Sequence, residues 1–389
     1  MRQSKPKPNP LTQAQLDAIE AAVATLPLDA KIGQLFQTDW RSFRAPSPCC
    51  ASILPNWNLT ANNAPVRSAL TDRCVGSVLG GGGARPTPNT SRSWRMQHAA
   101  MQRAAQASVA GIQLLVGNDS VHGQSNLEGA TLFPHHIGQG CMRDERGQPD
   151  EALVEALAAV AARESAACGC NWVFSPCVAV PHDLRWGRTY EGFGEDASLV
   201  GVLGAAEVRG LQESGVPVAA CLKHWVADGG TAFGTGSAAF AWTGAPVHVL
   251  DQGDAKVSDA ELQAHVAAYL PGLATGCLTV MVSYSSIHGL PCHASRKLIT
   301  EVLKEQLGFD GLVVSDYDAV PMLRSPVQGQ PKACAVDLVD AIAVRSPRTM
   351  SAVPAPARAP SHMRYPCRHQ QRTLFRHWRC RCRSMQVST

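Results

Sequence analysis

Short apolar runs, each closed by glycine or a polar turn, alternate along this chain with longer Ala- and Leu-rich stretches of helical spacing. The runs at 75–79, 113–116, 172–176, 218–222, 279–283 and 312–314 predict strands, and residues 32–37 predict a first strand before them. The 312–314 run is apolar on consecutive positions, which suits a parallel strand buried on both faces. Between them, residues 94–110, 151–167, 199–213, 259–270 and 296–307 predict helices, with Ser198 as a cap before the third and Gly169 as a stop after the second. Residues 13–26 predict an N-terminal helix capped by Thr12.

Strands and helices alternating at intervals of about 30–50 residues indicate βαβ units and a parallel sheet. About seven such units argue for an α/β fold of the (β/α)8 type rather than an open sheet. The eighth strand is the doubtful one. The position of the polar residues supports a barrel. Asp119, Lys223, His224, Tyr284 and Asp316 fall at or just past predicted strand ends, and in a barrel those ends converge on one mouth. Asp316 follows a buried run, where a carboxylate is costly unless paired or used.

Composition changes this picture in two places. The net charge of +4 comes from residues 341–389, which hold ten Arg and no Lys, Asp or Glu; the preceding 340 residues carry −6. An acidic body argues against a nucleic-acid-binding core. The 14 cysteines are scattered and form no Cys-x-x-Cys pair, so buried thiols are expected rather than zinc or a disulfide framework. No metal and no cofactor is expected. No apolar run is long enough to span a membrane, and the N-terminus lacks a signal-peptide core, so the compartment is left open.

Five motifs, in order, then narrow the chemistry: Gly117-Asn118-Asp119-Ser120-Val121-His122-Gly123, Asp183-Leu184-Arg185-Trp186-Gly187-Arg188, Tyr190-Glu191-Gly192-Phe193-Gly194-Glu195-Asp196, Lys223-His224-Trp225 and Val314-Ser315-Asp316-Tyr317. Together they resemble the N-terminal barrel of family 3 glycoside hydrolases, with the β-glucosidase and exo-β-glucanase branch the nearer. The resemblance implies Asp316 as nucleophile and Asp119, Arg188, Lys223 and His224 as grips on sugar hydroxyls, with Tyr284 beside the nucleophile. It implies a β-glucoside or oligosaccharide as substrate, and no nucleic acid, membrane or specific protein as partner. The stretch after Lys223-His224 lacks the Pro-Gly of the N-acetylglucosaminidase branch. The residues agree with this chemistry: a retaining glycosidase attacks with an ionised carboxylate, which nearby cations would keep ionised. The simpler alternatives are a helix cap at Asp316, a turn at Asp119, an Arg188 pair with Glu191 or Glu195, a solvated end at Lys223 and His224, and packing at Tyr284. A glucan-binding barrel without turnover is the competing function. The charged, Gly-rich 183–196 stretch predicts a long ordered loop beside the mouth.

The expected division is an N-terminal extension with one helix (1–30), the barrel (31–342) and a basic tail (343–389). In the family the general acid is a Glu in a second domain, and the 73 residues after Asp316 are too few to hold one. The Arg-, Pro- and Cys-rich tail has the composition of a frameshift or gene fragment, with RNA or anionic lipid binding as its other reading.

Overall fold

The computed structural model describes residues 12–43, 64–81, 85–236 and 253–323. Its strands are β1 (Gln37–Asp39), β2 (Ser77–Leu79), β3 (Leu115–Asn118), β4 (Trp172–Val173), β5 (Cys221–Trp225), β6 (Asp254–Ala255), β7 (Thr279–Val282), β8 (Ser286–Ile287), β9 (Leu290–Pro291) and β10 (Leu312–Val314). β1, β2, β3 and β4 pair in parallel in chain order, and so do β5, β7 and β10. Parallel bridges from Trp172 to Ala219 and from Cys177 to Lys223 join the two groups. The result is the wall of a barrel-like α/β fold, with strands side by side in sequence order. Pairing of β10 with β1, which would close it, is absent among the described residues. β6, β8 and β9 form a separate small sheet.

Helices cover the outside of the wall. Helix Glu151–Ala167 starts on the Asp150 side chain and ends at Gly169, whose φ of +85° suits a glycine after a helix. It crosses helix Ala197–Gln212 so closely that a Cβ on Gly210 would lie 2.2 Å from the Glu155 carbonyl oxygen. Val154, Ala158 and Ala162 from the first helix and Val200, Leu203 and Leu211 from the second join the largest buried cluster. A second cluster, around Trp40, Trp94 and Met101, fills the space outside β1 to β3.

A third cluster lies on the inner face and places the site. Trp172, Phe174, Cys221 and Met281 are buried there, with Leu79 and Val314 packed against them. Side chains alternate along a strand. Two residues beyond Cys221 is Lys223, two beyond Val314 is Asp316, and two beyond Gly117 is Asp119. Gly117 belongs to this face because the Phe174 ring occupies the place of its missing side chain, 2.2 Å from where a Cβ would be.

Several expectations need correction. Residues 28–34 form a helix (Leu28–Gln34), and the first strand begins only at Gln37. Its three residues are only half-buried, so pairing with β2 makes it a strand rather than its own apolar content. The cap before helix Ala197–Gln212 is Asp196, whose carboxylate accepts from the Ser198 amide. The stretch 259–270 breaks into Asp259–Ala267 and Leu270–Ala274, with Pro271 in the first turn of the second. Lys223 and His224 lie within β5 rather than past its end. The Thr12 cap is present as a reciprocal box with Gln15. The expected eighth strand and the basic tail lie outside the described residues.

Candidate active site

The six singled-out residues meet at one end of the strands. Lys223 Nζ lies 3.0 Å from Asp119 Oδ1, joining β5 to the turn after β3. Arg188, from the irregular segment after β4, donates from Nη2 to His224 Nε2 at 3.1 Å. The same His224 nitrogen lies 3.6 Å from Asp316 Oδ2. Tyr284 donates its hydroxyl to the main-chain oxygen of Tyr317, the residue after Asp316.

Strand alternation alone would send Lys223 and His224 to opposite faces. The pairing of β5 with β7 changes register between Leu222 and Trp225: Leu222 faces Val280, and Trp225 faces Val282. That extra residue is a bulge, a common way to re-aim a side chain next to a site. Both residues are therefore buried at the mouth, at 3% and 2% exposure, and are not a solvated strand end.

Their charge states differ. Burial alone would push the Lys223 ammonium down, but the carboxylates of Asp119 and Glu191 outweigh it and hold it above its ordinary value. Burial pushes His224 well below the ordinary histidine value, and the charges of Arg188 and Lys223 add to this. His224 is thus a neutral imidazole. Its Nδ1–H donates to Asp228 Oδ2 at 2.9 Å, and Nε2 accepts from Arg188.

Arg188 is held by Glu191 through two bonds, Nε to Oε1 at 2.8 Å and Nη2 to Oε2 at 2.7 Å. Burial pushes the Glu191 carboxyl up, but Arg188 and Lys223 together bring it below its ordinary value. The structural partnership expected as an alternative for Arg188 therefore exists, and the pair still faces the mouth. The Asp316 side chain does not cap the helix that follows: helix Ala319–Met322 has no side-chain cap. Asp316 Oδ1 instead accepts from the Tyr317 amide at 2.7 Å.

Sequence reasoning missed two contributors and weighed a third only as a structural pair. His293 Nε2 accepts the main-chain N–H of Asp316 at 3.1 Å, so this buried histidine fixes the backbone at the carboxylate. Asp228 sets the His224 tautomer. Glu191 orients Arg188, and it was in view only as a bland partner. Nothing in local spacing links His293 to Asp316 across 23 residues; only the adjacency of β7 and β10 does.

Cys177, His224 and Asp228 present ligand atoms within 4.8 Å of one another. Both His224 nitrogens are already bonded, and burial pushes the Cys177 thiol far up, so it stays protonated. Thiolate is the metal-binding form; this triple is better suited to hydrogen bonding. The eight described cysteines are unpaired, and all but Cys141 are buried. No helix among the described residues is long and apolar enough to cross a membrane.

A buried lysine, a clamped arginine, a neutral histidine and several carboxylates around one mouth can bind several hydroxyls and present one carboxylate to an electrophilic carbon. Comparisons with known proteins point the same way. The family model described as Glycosyl hydrolase family 3 N terminal domain matches residues 27–341. A lysosomal beta glucosidase of Dictyostelium discoideum is 27% identical over 78% of this chain and 35% of its own length. A periplasmic beta-glucosidase of Salmonella typhimurium is 30% identical over 54% of this chain and 25% of its own length. Among solved structures, an exo-1,3/1,4-beta-glucanase from a Pseudoalteromonas species is 32% identical over 80% of this chain and 35% of that one, with a TM-score of 0.64. A beta-glucosidase of Listeria innocua in complex with glucose is 26% identical over 84% of this chain and 41% of that one, with a TM-score of 0.63. This chain thus spans about a third or less of the curated relatives it matches.

Proposed function

Because the chain belongs to glycosyl hydrolase family 3, we propose that residues 31–342 are the sugar-binding barrel of a retaining β-glucosidase or exo-β-glucanase, with Asp316 as nucleophile. The observation that carries this reading is the convergence of Asp119, Lys223, Arg188 and His224 on the mouth where Asp316 lies. Asp119 is half-exposed beside its lysine. A carboxylate in that setting can accept from two neighbouring sugar hydroxyls while Lys223 donates to one of them. Arg188, with its orientation set by Glu191, can donate to another. The terminal glucose is then held with its anomeric carbon toward Asp316. Attack by the carboxylate forms a glycosyl-enzyme ester and expels the aglycone; water then cleaves the ester. The positive charge that develops on the ring is offset by the carboxylates around it.

Departure of an ordinary alcohol needs a proton donor. Among the described mouth carboxylates, Asp119 accepts from Lys223, Glu191 from Arg188 and Asp228 from His224, so none is set up to give one. On this reading the donor is supplied from outside the described residues. Without it, turnover of unactivated glucosides falls by about 10²–10⁴-fold. An aryl glucoside whose phenolate leaves unaided avoids that step.

The test is release of phenolate from an activated aryl β-glucoside. Asp316→Ala should lower the rate by about 10⁴-fold or more, and a 2-fluoro glucoside with the same leaving group should add one sugar mass to the peptide containing Asp316. Equal rates for wild type and Asp316→Ala would remove the nucleophile assignment and leave a glucose-binding barrel without turnover.

A further inference from the structure

One buried charged group lies outside the mouth and takes no part in the chemistry above. His136, at the start of the short helix His136–Gln139, is 2% exposed. Its Nδ1 lies 2.7 Å from the main-chain oxygen of Glu191. A carbonyl only accepts, so Nδ1 carries a hydrogen. Its Nε2 lies 2.9 Å from Glu207 Oε2, on helix Ala197–Gln212. The other Glu207 oxygen accepts from the Ser175 hydroxyl. The imidazole stacks on the Phe193 ring, with centroids 4.4 Å apart and 17° between planes. The segment around Glu191 is gripped from the same side: a Cβ on Gly140 would lie 1.7 Å from the Phe193 carbonyl oxygen.

We propose that His136 and Glu207 are a buried positioning pair that sets Glu191, and through it the Arg188 grip, and that the proton they share gives sugar binding an alkaline limit. The proposal rests on the reading of Arg188 as a sugar-binding residue. Its chain of contacts is continuous: Ser175 to Glu207, Glu207 to His136, His136 to the Glu191 carbonyl, the Glu191 carboxylate to Arg188, and Arg188 to His224. The charged and titratable groups facing His136 are Glu207 from the helix, the Glu191 carboxylate from the loop, and His135 beside it. While the pair holds its proton, an imidazolium faces the carboxylate at ion-pair distance, 2.9 Å. Once that proton leaves, a lone pair and an anion face each other in a dry site, and the hold on Glu191 slackens. Burial by itself would drive the proton off His136, but Glu207 and the Glu191 carbonyl outweigh it and raise its pKa above 6.5. The contribution of the pair is therefore fully present below pH 6.5 and is lost as pH rises through the raised value.

Three measurements on wild type, Glu207→Gln and His136→Asn test this: the imidazole NMR titration of His136, the affinity for free glucose, and the unfolding midpoint, each across pH. In wild type, His136 should titrate above the ordinary histidine range. Glucose affinity should fall beyond the same midpoint, by up to about tenfold per pH unit as linkage to one proton requires. Glu207→Gln should move both curves down together, and His136→Asn should abolish the alkaline fall. A His136 titration at or below the ordinary value, or an affinity profile that stays in place when the His136 titration moves, would overturn the proposal. If wild type binds no glucose at any pH, the functional reading fails, and the unfolding curves still decide the pair. Wild type should lose stability over the alkaline window that Glu207→Gln loses earlier, and superimposable curves would reject the pairing.

Discussion

At the scale of the residue, the site depends on which groups are charged. His293 is the least visible contributor. It is buried, and burial pushes it down to about 4, with a bond to the Ser283 backbone partly opposing. Its neutral Nε2 is what accepts the Asp316 amide. The unfolded chain takes up a proton near 6.5, whereas the folded site waits until about 4. Stability from this residue is complete above pH 6.5 and drains away as pH falls toward 4. The difference of 6.5 − 4 units corresponds to about 3 kcal/mol. His98 and His265, also buried and also held to about 4, share the acid limb. His293→Gln should therefore lessen, without abolishing, the fall of the unfolding midpoint between pH 6.5 and 4, because the buried His224, His98 and His265 share that limb. An unchanged slope would assign acid sensitivity to the other three. Asp316, Lys223 and Asp119 were legible as chemistry because their types are costly at a strand end. His293 was not, because a histidine in a Cys-His-Ala turn carries no local sign of what it faces.

At the scale of the element, close approach and irregular pairing matter more than propensity. Helices Glu151–Ala167 and Ala197–Gln212 cross at a glycine, and the Glu155 carbonyl and the Ala158 methyl leave no room for a side chain there. Gly210→Ala should gain helix propensity yet lose about 1–3 kcal/mol of stability from overpacking, read as a lower midpoint in urea. A gain in stability would mean that the two helices separate at little cost. The long 151–167 helix was readable to the residue, since its Ala/Leu periodicity and glycine stop agree. The first strand was not. Ile32, Leu35 and Phe36 look like an apolar strand, yet the backbone is helical through Gln34, and their side chains face outward. The bulge in β5 was also hidden. It is a mismatch between two strands more than 50 residues apart, and it is what brings His224 to the mouth beside Lys223.

At the scale of the whole molecule, the wall runs in chain order from β1 to β10, and both end strands carry apolar groups to the surface. Leu35 is 72% exposed and Phe36 60%, next to β1, and Leu312 on β10 is 45% exposed. Exposed apolar stripes of this kind promote association. Leu35→Lys with Phe36→Ser should reduce light scattering at high protein concentration while leaving glucose affinity unchanged, because both residues precede the start of β1, whereas Asp119 and Asp316 follow the ends of β3 and β10. Unchanged scattering would place the sticky surface elsewhere.

The sequence by itself determined the alternation of strand and helix, the family, and which polar side chains its motifs bring into play. Those features are written in local periodicity and in residue types that are expensive to bury. Only the tertiary structure decided that Glu191 clamps Arg188, that His224 is neutral, that His293 holds the Asp316 backbone, and that His136 and Glu207 support the loop from behind. The Glu191 pair was one of two partners that local spacing offered Arg188; the other contacts are not announced by local spacing, and the His293 and His136 contacts join segments far apart in the chain. Whether a side chain is charged or neutral depends on the burial and partners that such contacts create.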